Sequence, residues 1–171
     1  MNRPTALRWS ALAAIAGGMI NPLVDVLSPD RGSSLEWGYF IGGLAIQLAL
    51  IGIYAIQVEE SGVAGFLGFV MATVGRAYFS VPGAVIGGVD GTVPLGLLYT
   101  LGLILVSIGT VKSRKLPRWV PAMWLAAVVV GVAGALLPSL EIVLLRLGAI
   151  VLGLGFVGAG FALWRIYPLR N

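Results

Sequence analysis

The chain contains no cysteine and no histidine. The first absence excludes a disulfide framework, and the two together exclude thiolate and imidazole metal sites. They also exclude a haem held by a proximal His or a Cys thiolate. A Ser-His-Asp or Cys-His nucleophilic centre cannot be assembled either. Charge is scarce as well. Asp, Glu, Lys and Arg make up 11% of the residues, against about 25% in a soluble domain. No Lys falls inside an apolar run, so no buried amine is on offer for Schiff-base chemistry or retinal attachment. The expectation is therefore a protein that is not an enzyme, with no cofactor and no metal.

What fills the 171 residues is apolar. The chain is 58% hydrophobic with a mean hydropathy of +0.99. Crossing a bilayer takes about 20 mostly apolar residues per helix. Six such runs are present, at approximately 6–27, 36–58, 62–81, 93–112, 119–137 and 140–165. They predict an all-α polytopic membrane protein, with six transmembrane helices forming one domain over 1–171. Arg3 and Arg8 ahead of Ala11–Ile20 are like the start of a signal peptide, but no convincing small-x-small cleavage site follows that apolar run before Asp25. The first run is read as an uncleaved span.

The densest charge is Lys112-Ser113-Arg114-Lys115-Leu116-Pro117-Arg118, between two of these runs. Lys and Arg near span ends stay on the cytoplasmic side. Six spans put this loop, the Glu59-Glu60-Ser61 break and both termini on one side, with eight of the eleven cations. The expectation is a bacterial inner (plasma) membrane protein with both termini cytoplasmic. The formal charge of +4 then reflects topology and affinity for anionic lipid headgroups, not nucleic acid. Trp9, Trp119, Trp124 and Trp164 are expected in an inner interfacial belt, and Trp37 and Tyr39 in an outer one.

The 25 glycines recur at small-xxx-small spacing, as in Gly38/Gly42, Ala64/Gly68/Ala72, Ala14/Gly18 and Gly131/Ala135. This spacing brings helix backbones close in lipid, here within one bundle; a self-association face is the other use of it. Gly153, Gly155, Gly158 and Gly160 crowd the last run and predict a centrally packed helix. Pro22 lies inside the first run and removes the hydrogen bond to the Gly18 carbonyl. Gly52, Gly109 and Gly160 close similar apolar runs, which suggests three repeated helical hairpins.

Charges within spans are costly and point to function by default. Asn21 and Asp25 lie one turn apart on the first span. Arg76 falls about 21 Å from the inner end of the third span and Arg146 about 9 Å from the outer end of the sixth, at 1.5 Å per residue. Arg76, Arg146, Asp25 and Asn21 are the candidate ligand-binding residues. They are expected to converge in an outward-facing pocket for a small anionic or zwitterionic solute, since a surplus of Arg suits carboxylate or phosphate. The competing expectation is two structural ion pairs, Arg76–Asp25 and Arg146–Glu141, with Arg146 snorkelling. Gln47 is read as a clasp between helices. The segment 87–91 lacks the Lys-Ser/Thr of a phosphate loop and is read as an outer turn. The partners implied are membrane lipids and other membrane subunits or a second copy. The leading expectation is a structural or accessory membrane component; the alternative is a solute-binding or transport component.

Overall fold

The computed structural model describes residues 3–27, 36–80 and 92–166. These residues form five α-helices and contain no strand. The helices are α1 (Arg3–Leu27), α2 (Glu36–Phe79), α3 (Thr92–Ser113), α4 (Trp119–Leu136) and α5 (Glu141–Ile166). A single 3-10 turn, Pro138–Leu140, joins the last two. All five are long and apolar enough to cross a membrane.

The helix count is five where six were expected, because 36–58 and 62–81 belong to one element. Glu59-Glu60-Ser61 reads as a break in the apolar pattern. In the structure it is helical, as the good helix propensity of Glu allows. Only Gly62 leaves helical geometry, at φ 63° and ψ −162°. That region is open essentially to glycine alone. The chain reverses there. Gly43 lies against Ser80, and Tyr54 stacks on Phe69 with ring centroids 4.7 Å apart and planes 11° from parallel. In a straight helix residues 43 and 80 would be about 55 Å apart at 1.5 Å per residue. α2 is thus two antiparallel arms meeting at one glycine, with no loop between them.

Glycine sets the register of most neighbouring pairs. Gly17 and Gly42 bring α1 onto the first arm of α2, and Gly52 faces Ser10. Gly68, Gly75, Gly102 and Gly109 do the same between the second arm and α3; a Cβ at Gly109 would lie 2.8 Å from Gly65 Cα. Gly18 and Gly153 press α1 against α5 at the turn where Pro22 has freed the Gly18 carbonyl, and α1 continues helical through Pro22. Gly155 and Gly158 admit the indoles of Trp124 and Trp119 from α4. α5 therefore packs between α1 and α4, as its glycine content predicts. The proposed repeats are matched only in part. Gly52 and Gly109 each face the preceding helical segment, whereas Gly160 faces Ala11 and Ile15 of α1.

Gly62, the loop after α3, the start of α1 and the end of α5 share one end of the bundle. A Cβ at Gly62 would lie 3.1 Å from Lys112 Nζ. Lys115 pairs with Glu60 at 2.7 Å, and Ser113 donates to Gln57 Oε1 at 3.2 Å. The hydrophobic core is concentrated toward this basic end, through Leu7, Ile53, Leu116, Val120, Phe156 and Leu163. Trp124 belongs to it. Expected in an interfacial belt, it is fully buried, with its ring 5.4 Å from Phe156. Trp9, Trp37, Trp119 and Trp164 are exposed.

Candidate functional site

Arg76 lies on the second arm of α2, 14 residues past the Gly62 turn, or about 21 Å along the helix. It is seven residues from Phe69 and four from Ser80, both of which face the first arm. The guanidinium stem therefore leaves the helix toward that arm, and the hairpin register sets Gln47 opposite it. On the other side, Gly75 lets α3 approach so closely that an added Cβ would lie 2.7 Å from the Tyr99 backbone nitrogen. Thr73, one turn earlier, shares the Arg76 face.

Arg76 Nε and Nη2, Thr73 Oγ1 and Tyr99 OH are all buried and have no hydrogen-bond partner among the described residues. Ser80 Oγ donates to the Arg76 carbonyl at 3.0 Å and leaves the guanidinium untouched. A buried polar group without a partner is costly, and a buried charge much more so. These orphans can all donate, and one is a cation. Chemically, such a set of donors could engage a hydrogen-bond acceptor, and a carboxylate or phosphate oxygen is the acceptor that a guanidinium fork fits best.

The other candidates are placed elsewhere. Asp25 accepts a hydrogen bond from the Tyr39 hydroxyl at the start of α2. Tyr39 and Gln47 are eight residues apart on one arm, so Asp25 and Arg76 differ in depth by about 12 Å. The Arg76–Asp25 ion pair is not formed. Asn21 is buried between α1 and α2, where Nδ2 donates to the Gly17 carbonyl at 3.2 Å and Oδ1 abuts Gly42. Arg146 and Asp25 belong together by register. Gly160 meets Ala11 and Gly153 meets Gly18; a further seven-residue step brings position 146 opposite 25. Glu141 is exposed. Asn21 and Asp25 therefore lie where α1 meets α2, with Arg146 of α5 level with Asp25 by register, and Arg76 is placed apart from them, on the second arm of α2.

Tyr39, Thr73 and Tyr99 gain their roles from helix register, which their residue types do not reveal. The visible signal for the niche was Gly75 beside Arg76, a small residue next to a charge within a span. Asp30 and the 87–91 segment lie outside the described residues. Among those described, no group of three His, Cys, Asp or Glu residues could hold a metal.

No protein-family model, no curated protein and no solved structure matches this chain. The functional reading therefore rests on the residues themselves.

Proposed function

We propose that the chain crosses a bacterial inner (plasma) membrane six times, α2 supplying two spans, with both termini cytoplasmic. Each arm of α2 is long enough for one crossing. Charge supports the orientation. Arg8, Lys112, Arg114, Lys115, Arg118 and Arg165 gather at the basic end, and cations of this kind are retained on the cytoplasmic side. Within that membrane the protein is a structural or accessory component, held by lipid and by contacts with other subunits or a second copy. One observation carries this reading. All five helices turn large apolar side chains outward, among them Leu23, Val63, Leu97, Val129 and Ile142, a surface that only acyl chains or other membrane helices complement. Cysteine labelling tests the topology without background thiols. Gly91→Cys should react with an impermeant reagent from outside, and Arg118→Cys only after permeabilisation. The reverse pattern overturns the orientation. Purification in mild detergent should return companions in fixed ratio.

A second reading is favoured by the orphaned donors around Arg76: a solute-binding or transport component that takes a small anionic or zwitterionic ligand from the outer side. Thr73→Cys tests it. Fast labelling from outside means that water reaches the niche. No labelling, in a folded protein whose Gly91→Cys variant does react, removes this reading. A ligand-dependent rise in thermal stability that Arg76→Met abolishes would identify the ligand class.

A further inference from the structure

At the basic end a groove of about 560 Å³ opens between the loop after α3 and the last turns of α5. Its construction starts at Arg114, whose backbone adopts φ 56° while its N–H closes on the Thr110 carbonyl at 3.2 Å. A non-glycine residue seldom takes this left-handed conformation. Here it ends α3 and turns the loop sideways toward α5. Leu116 then plunges into the core, with 4% of its surface exposed, and pins the loop. Trp119 lies over Gly158, where any Cβ would strike the indole. The opposite wall is one face of α5, with Phe161, Ala162 and Arg165 in succession.

The lining divides into two chemistries. Arg114, Lys115 and Arg165 are at the rim and no acidic side chain lines it; Leu116, Trp119 and Phe161 form the apolar part. Glu60 engages Lys115 from outside the groove. Cations at the bundle end above an apolar trough match a molecule with an anionic head and a hydrocarbon body. The volume is ample for more than a bare phosphate. We propose that this groove binds one anionic phospholipid, its phosphate held by Arg114, Lys115 and Arg165 and the start of its acyl chains laid over Trp119 and Phe161. The inference needs the chain to be embedded in a membrane, but not the six-span count, the orientation or the Arg76 reading. Basic pockets between transmembrane helices are known to suit such headgroups. The expectation here is narrower, since the neighbouring Arg118 stands outside the site.

The test uses the full chain in neutral micelles, titrated with phosphatidylglycerol or with phosphatidylcholine of identical chains. Binding is read by native mass spectrometry and by the thermal midpoint. Two guanidiniums at the phosphate should give phosphatidylglycerol an advantage on the order of tenfold. Arg114→Gln with Arg165→Gln should remove most of it, and Arg118→Gln should keep it. In the unaltered protein the preference should fall as salt rises, because rim charges are screened. Equal binding of the two lipids overturns the proposal, as does an equal loss from Arg118→Gln, which would mean diffuse attraction. So does a matching midpoint rise from inorganic phosphate or glycerol phosphate, which would make this a small-anion site. If the double variant does not fold, the salt series decides alone, and a salt-independent preference counts against the site. A protein that stays folded in micelles with no lipid preference loses the groove and keeps its place in the membrane.

Discussion

At the basic end of the bundle the buried polar atoms left without a partner are neutral; around Arg76 they include those of a cation. Gln57 is 1% exposed, yet its amide accepts from Ser113. The single Ser113 hydroxyl proton is shared with the Thr110 carbonyl, and the Ser107 hydroxyl donates to the Leu103 carbonyl. Ser61, Thr110 and Trp124 leave single neutral atoms unpartnered there. Farther along the same helices a guanidinium is left with two buried nitrogens unpartnered. The core cluster gathers toward the basic end, whereas Val129, Leu136, Ile142 and Val143 at the far end of α4 and α5 are largely exposed. Among the described residues the two regions thus differ in charge: the atoms left unpartnered near the basic end are neutral, and those at Arg76 belong to a cation.

The seam that links the two ends is the most vulnerable part. Gly153→Leu would drive a side chain into the Gly18 backbone, with Pro22 Cγ only 2.9 Å from its Cβ. Neither obstacle can rotate away. Overpacking of this kind costs about 1–3 kcal/mol in a compliant core and more against backbone. The expected outcome is loss of the folded monomer, seen as aggregation in gel filtration. Gly62→Ala comes next. Its Cβ has room, since only the flexible Lys112 ammonium lies near. The penalty is confined to the backbone, about 1–3 kcal/mol for a residue forced into a glycine-only region. Thermal unfolding should show that loss with the fold retained. An unchanged midpoint would mean that the two arms of α2 can meet in another way.

Arg76→Met has the opposite sign. Without ligand, the substitution removes a half-buried guanidinium, two of whose nitrogens are buried without a partner, and keeps the apolar stem. Replacing buried ionic groups by well-packed hydrophobes is often stabilising by about 1–4 kcal/mol. The midpoint of the ligand-free protein should rise. A fall of similar size would show that the guanidinium is already satisfied, and the contrast between the two ends would disappear.

Much of this was legible in the residues. The boundaries of α3, α4 and α5 lie within a residue or two of the apolar runs, and the Pro138 break and the basic loop fall where composition puts them. Arg76 announces itself as a charge within a span. The reversal at Gly62 was hidden, because two glutamates look like the solvated loop that a membrane hairpin normally needs. Convergence of four residues was expected from depths counted along separate helices. Depth does not give the partner. That is set by register, and register is set by which glycine meets which backbone. Gly38/Gly42 and Ala64/Gly68/Ala72 show the faces that pack, but the pairing of Asp25 with Tyr39 emerges only once α1 is seated on α2.

The smallest effect is expected at Gly131, which shares its spacing with Ala135 and reads in the sequence like every other packing glycine. A Cβ there would meet nothing within 4 Å. It lies in the half of α4 away from the basic loop. Gly131→Leu should leave the thermal midpoint of the monomer almost unchanged, within about 0.5 kcal/mol as for surface substitutions generally. The same change that destroys the bundle at Gly153 should be silent here, although Gly153 lies in α5, the helix against which α4 packs. A loss of stability would therefore be informative. If it came with conversion of a larger species to monomer, a second copy or another subunit would be covering the far end of α4. The openness of that end would then belong to the isolated chain alone.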